Sequence, residues 1–209
     1  SDDKMTSVKS THNYVKTLDH EFLGRIEIYQ HYANQQLLIM KEKIANNQDH
    51  MRQEEALIEK RDMLRHPNLM ILKDWSVRKD SKVCATFYTL RSYYLYHLEN
   101  CELIAKRQEK IGTPLEDHEL MQLVYDGIDV LSYLESQGYN HGFIRPELIA
   151  RNEKKAFVLM DRLMEGSAID SNKYARQMGF DPYCSPAVWN NITNQRQNPH
   201  DPYKDDAFS

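Results

Sequence analysis

Residues 116–137 carry the strongest periodic signal in the chain. Leu120, Leu123, Val124, Gly127, Ile128, Leu131 and Leu134 recur at the i, i+3, i+4, i+7 spacing of one helical face. Pro114 and the acids Glu116 and Asp117 suit the N-terminus, where the helix dipole favours negative charge. Gly138 suits a left-handed cap at the other end. The first half of the chain has a different character. Segments 14–18, 25–32 and 36–43 are rich in β-branched and aromatic residues over strand lengths, with Gly24 and Ala33–Gln35 as turns. A charged stretch over 49–64 places Leu57 and Leu64 at helical spacing, and Pro67 closes it. Segments 69–77 and 82–90 follow as further strands. Beyond the long helix come a loop (140–146), strand-like pieces at 147–151 and 156–161, and a loop-rich region with Pro182, Pro186, Pro199 and Pro202. Residues Asn198 to Asp206 suit a solvated loop entering a helix. This is an α+β layout, with a small sheet-rich lobe before a mainly helical one.

Charge and composition narrow the function classes. Lys plus Arg number 27 against 31 Asp plus Glu, a net charge of −4. No clustered excess of basic residues marks a nucleic-acid or anionic-membrane partner. Apolar runs such as Leu37–Met40 and Phe157–Met160 fall far short of the ~20 residues a membrane span needs. Ser1–Lys4 are polar, so no secretory signal is expected there, and Asn191-Ile192-Thr193 carries no glycosylation without one. The three cysteines, Cys84, Cys101 and Cys184, form no C-x-x-C. They are expected to be reduced thiols in a cytoplasmic setting. The histidines show no H-x-x-x-H or H-E-x-x-H spacing, so no metal is expected.

Several short motifs occur in an order that resembles the protein kinase family. Leu37-Leu38-Ile39-Met40-Lys41 is similar to the third-strand V-A-I-K with its phosphate-pairing lysine. Arg65-His66-Pro67-Asn68-Leu69 is similar to the H-P-N after helix αC, and residues 116–137 to helix αE. His141-Gly142-Phe143-Ile144-Arg145-Pro146-Glu147-Leu148 is similar to the catalytic loop H-R-D-L-K-P-E-N. Val158–Leu163 is similar to the strand and D-F-G that follow, and Tyr183–Ala187 to the end of the activation segment. Asp205–Ser209 is similar to the D-V-W-S that opens helix αF. The resemblance implies a two-lobed fold: a small antiparallel sheet with one helix, and part of a mainly helical lobe. It implies an N-terminal extension over 1–13, the small lobe over 14–90 and the partial large lobe over 91–209. It ends at the first turn of αF, so the chain is expected to continue or to be completed by a neighbour.

The departures from that pattern bear on chemistry. Counting back from Lys41, the three glycine positions of the phosphate loop become Asp19, Glu21 and Gly24. Two acids stand where backbone N–H groups would meet phosphate, so a bound nucleotide would meet like charge. The catalytic base position is Phe143, which accepts no proton, and Gly142 replaces the preceding arginine. The loop lysine is Arg145, and the metal-binding asparagine is Leu148, which offers no oxygen. Asp161 survives, but Arg162 and Leu163 replace Phe and Gly, and Ala187 replaces the A-P-E glutamate. The αC glutamate position falls on Leu57, with Glu55 and Glu59 nearby.

These changes imply an inactive kinase-like domain, a pseudokinase with no catalytic residues. Its expected role is as a scaffold or interaction module for other proteins, cytoplasmic, with a cytoskeletal or ciliary assembly as one setting. Lys41 and Asp161 are the residual nucleotide and metal positions. The plainer alternatives are a strand lysine and a loop cap or partner of Arg162. His141 is expected to bond backbone near Asp161. Tyr93, Tyr94 and Tyr96 are expected to pack against Leu90 and Leu98, at the family's interlobe hinge. No cofactor is expected. ATP and magnesium belong to the alternatives: an unorthodox active Ser/Thr-type kinase, or a nucleotide-binding switch without turnover.

Overall fold

The computed structural model describes residues 8–20, 23–82, 85–97, 115–161 and 183–209. The chain divides into two compact units, residues 1–65 with 70–98, and residues 66–69 with 99–209. The architecture is mixed α+β.

The first unit is a five-stranded antiparallel sheet of order β1-β2-β3-β5-β4. Its strands are β1 (His12–His20), β2 (Gly24–His31), β3 (Leu37–Ala45), β4 (Leu72–Lys82) and β5 (Ala85–Tyr96), with helix α1 (Gln48–Asp62) between β3 and β4. β2 alternates, burying Ile26 and Ile28. β3 is buried through Leu37, Leu38, Ile39, Met40 and Lys41, as suits a central strand covered on both faces. On one face Leu38, Met40, Tyr93 and Leu95 pack with Val8 and Tyr29. Edge strand β1 bulges between Tyr14 and Lys16, which interrupts a ladder otherwise open to pairing. Gly24 takes φ +69° where the chain turns into β2.

Helix α1 is capped by Asn47, whose side chain accepts the His50 N–H at 2.7 Å. It buries Met51, Ile58 and Arg61, whereas Leu57 is exposed. Of the two leucines in the sequence pattern, Leu64 is buried as expected and Leu57 is replaced inside by its neighbour Ile58. The long aliphatic stem of Arg61 helps to fill the inner face while its Nη2 donates to the Met70 carbonyl at 2.5 Å. β5 runs past the expected end at 90 because Tyr93 and Tyr94 pair with both β3 and β4, and Leu95 with β3. Tyr93 and Tyr94 are buried within the sheet, and Leu98 lies outside the described residues.

The second unit holds α2 (Asp117–Ser136), a 3₁₀ turn (Pro146–Leu148), the hairpin β6 (Ile149–Arg151) and β7 (Phe157–Leu159), α3 (Pro186–Asn194) and α4 (Pro202–Phe208). α2 starts with the Glu116 N–H donating to Glu119 Oε2 at 3.1 Å. It ends in a Schellman cap. Gly138 lies at φ +67°, Tyr139 N–H donates to the Leu134 carbonyl and Gly138 N–H to that of Glu135, both at 2.9 Å. Of the expected apolar face only part is inside: Leu134 is buried and Leu123 and Leu131 are half-buried. Glu119, Asp126, Val130 and Leu134 are buried, whereas Leu120, Val124 and Ile128 are exposed. The acids are inside because the hairpin satisfies them. Asp126 accepts the Phe157 N–H at 2.8 Å, and Glu119 pairs with Arg151 at 2.7 Å.

Residues 66–69 belong to this unit as well. Asn68 donates to the Phe157 carbonyl and Leu159 N–H donates to the Asn68 carbonyl, both at 2.8 Å. His66 pairs with Asp129 at 3.3 Å and its ring lies against Tyr133. That attachment is why β4 begins at Leu72 and not at 69. α3 falls where the sequence suggested only loop. Its signal is Ser185-Pro186: the Ser185 hydroxyl caps the Val188 N–H, and proline suits the first turn. Asn191, the glycosylation-pattern residue, uses its amide to hold the Asn198 backbone from both sides. Among the described residues no helix is long and apolar enough to cross a membrane.

Candidate functional site

Lys41 sits mid-way along β3 and is only 8% exposed, so the plain reading of an exposed strand lysine does not hold. Its ammonium donates to the Leu23 carbonyl at 2.7 Å. Leu23 is fully buried, and its N–H donates to His20 Nδ1 at 3.1 Å. Thus the turn between β1 and β2 closes on the lysine of the same sheet. Asp19 lies at the exposed end of β1, opposite Arg25, and Glu21 lies outside the described residues. On α1 the carboxylate that reaches β3 is Glu54, which pairs with Lys43 at 2.8 Å. Among the described residues neither Glu55 nor Glu59 forms an ion pair with β3. Sequence spacing pointed to 55, 57 or 59 and missed Glu54, because α1 begins at Gln48 with its cap at Asn47.

The loop at 141–148 lies in the second unit and is built on two side chains. His141 is buried. Phe143 N–H donates to its Nδ1 at 3.1 Å, so Nε2 carries the proton and donates to the Met160 carbonyl at 2.7 Å. This is the expected bond to backbone beside Asp161. Asp206, on α4, accepts the N–H groups of His141 and Gly142, each at 2.6 Å. The loop is therefore fixed by a neutral imidazole on one side and a buried carboxylate on the other.

What this frame displays is apolar. Phe143 is 7% exposed and Leu148 is fully buried. Arg145 is buried too. Its Nε donates to Glu147 at 3.1 Å, and its guanidinium lies 4.8 Å from the Phe143 ring centre and 5.3 Å from that of Tyr183. A cavity of about 40 Å³, room for a water or two, is lined by Phe143, Arg145, Tyr183, Ser185, Asp205 and Asp206. Around it Ser185 donates to Asp205 at 2.5 Å, and Ser209 donates to the Tyr183 carbonyl at 2.5 Å. His200 bonds the other oxygen of Asp205. The role of Tyr183 was not visible in the sequence, since it depends on Arg145 being drawn between two rings.

Asp161 follows β7 and is buried. Arg162 and Leu163, its expected neighbours in the D-F-G position, lie outside the described residues. Among the described residues no group of three or more His, Cys, Asp or Glu side chains could hold a metal ion. Burial and the Glu27 carboxylate, which accepts the Tyr29 hydroxyl at 2.6 Å, hold the Tyr29 phenol far above its ordinary range. Burial also raises the Tyr93 phenol.

No model of a known protein family matches this chain, and none of the curated proteins compared with it is a match.

Proposed function

We propose that the chain is a degenerate protein kinase-like domain, two-lobed and without phosphoryl transfer, that works by binding other proteins. The carrying observation is the content of the 141–148 loop. Kinase catalysis is positioning plus electrostatic stabilisation, and it needs a carboxylate base and an oxygen ligand for the metal. At those two positions stand the buried side chains of Phe143 and Leu148. The supporting frame is nonetheless kept: His141 on the Met160 carbonyl, and Asp206 on the loop amides. A loop held this firmly around apolar residues suits a structural element better than a catalytic one.

Two features of the first unit support the same reading. The sheet order β1-β2-β3-β5-β4, with α1 between β3 and β4, suits a kinase-like small lobe. The Lys41 ammonium is engaged by the Leu23 carbonyl, an arrangement that leaves it poorly placed to meet a phosphate. Incubation with γ-labelled ATP, magnesium and a general Ser/Thr substrate tests the reading. No transfer above the Lys41→Ala background is expected. Turnover that Lys41→Ala abolishes would overturn it in favour of an unorthodox active kinase.

A further inference from the structure

We infer that the outer face of α2 is a docking surface for a basic amphipathic helix of a partner protein. Leu120, Val124 and Ile128 recur every fourth residue, and Met121 and Tyr125 flank them. All five are between 43% and 64% exposed. From Leu120 to Ile128 they run about 12 Å along the axis. Single exposed apolar residues are ordinary on a protein surface, but a continuous helical stripe of five marks an interaction site. The opposite face of the same helix is already engaged through Glu119, Asp126, Val130 and Leu134. Gly127 borders the stripe, and a Cβ there would meet nothing within 4 Å. Among the described residues the space beside Gly127 is open, which leaves room for a close approach at that point.

Charge selects the occupant. Asp117, Asp129 and Glu135 are the exposed acids of the helix, Glu119 and Asp126 being turned inward, and it carries no Lys or Arg. Asp117 and Glu135 are exposed at the two ends of the stripe, and the Asp129 side chain is 71% exposed along its flank. A second copy of the chain would set acid against acid, and an anionic membrane would be repelled. A helix with an apolar face edged by Lys and Arg meets both the stripe and its rim. The surface shares no residue with the 141–148 loop. Failure of one proposal therefore leaves the other standing.

The probe is a labelled synthetic leucine–lysine helix of about 18 residues, five turns, with one leucine face. Fluorescence anisotropy with the full chain is expected to show saturable binding that weakens with added salt. Val124→Glu is the decisive variant because it removes apolar surface while adding an acid. Docking on the stripe predicts roughly tenfold weaker binding, and Ile128→Gln should act in the same direction. Circular dichroism verifies that both variants keep their helix. Attraction by charge alone predicts stronger binding to Val124→Glu, and that result overturns the inference. So does an absence of binding to the unaltered chain, or equal binding of a peptide with glutamate in place of lysine. In sedimentation velocity the chain is expected to stay monomeric. A concentration-dependent dimer abolished by Val124→Glu would assign the stripe to a second copy and overturn the inference.

Discussion

Asp206→Ala is expected to loosen the 141–148 loop. The carboxylate is 5% exposed and accepts two backbone N–H groups at 2.6 Å each. Its removal leaves two buried donors without that acceptor, at about 1–3 kcal/mol each. The gross cost of about 2–6 kcal/mol is reduced because a buried charge is removed as well. The neighbouring cavity also lets water approach the freed amides. About 2–4 kcal/mol remains. A chain of two units need not unfold in one step, so the loss is best read locally. Native-state hydrogen exchange at His141 and Gly142 should accelerate by about 30- to 900-fold, at 1.36 kcal/mol per decade. Amides of β2 and β3 should hardly change. An acceleration below threefold at the two loop amides, or an equal one in the sheet, would refute the assignment of Asp206 as the loop's anchor.

Other expectations follow from single contacts. Asp126→Ala removes the acceptor of the Phe157 N–H and should destabilise the β6–β7 hairpin by about 1–3 kcal/mol, read as faster exchange at Phe157. Lys41→Met keeps the stem and removes the donor to the Leu23 carbonyl. Its effect on stability should stay within about 1 kcal/mol in urea unfolding, because a buried charge leaves with the hydrogen bond. His12 titrates below its ordinary value of 6.5, first because of burial and then because of His31, whose ring lies 4.8 Å away. The unfolded chain therefore takes up this proton first as pH falls. The stability from a neutral His12 is full above 6.5 and is lost as pH drops towards the folded value. His12→Gln should flatten that part of the pH dependence in urea midpoints measured across it, and an unchanged slope would rule out His12 as its source.

Local chemistry made much of this fold legible. Gly24 and Gly138 adopt the left-handed conformations that their positions suggested. β2 and β3 follow their apolar patterns, and His141 bonds backbone beside Asp161 as expected. Most of the misreadings come from long-range satisfaction of polar groups. Glu119 and Asp126 lie inside because Arg151 and the Phe157 amide, far along the chain, pair with them. The inner face was therefore assigned in part to Leu120, Val124 and Ile128, which are outside. Arg61 had no signal in the sequence, and its head reaches the Met70 carbonyl while its stem lies inside. Lys41 looked open because nothing local shows that the Leu23 carbonyl turns back over it. α3 was missed because its cap, Ser185, was read only as part of a motif.

The most direct measurement is a calorimetric titration of magnesium–ATP into the full chain and into Lys41→Ala. A non-catalytic module whose Lys41 is held by the Leu23 carbonyl predicts no saturable heat at millimolar nucleotide, the upper end of ordinary substrate constants. The two traces should be indistinguishable. Saturable binding to the unaltered chain that Lys41→Ala abolishes would contradict the account.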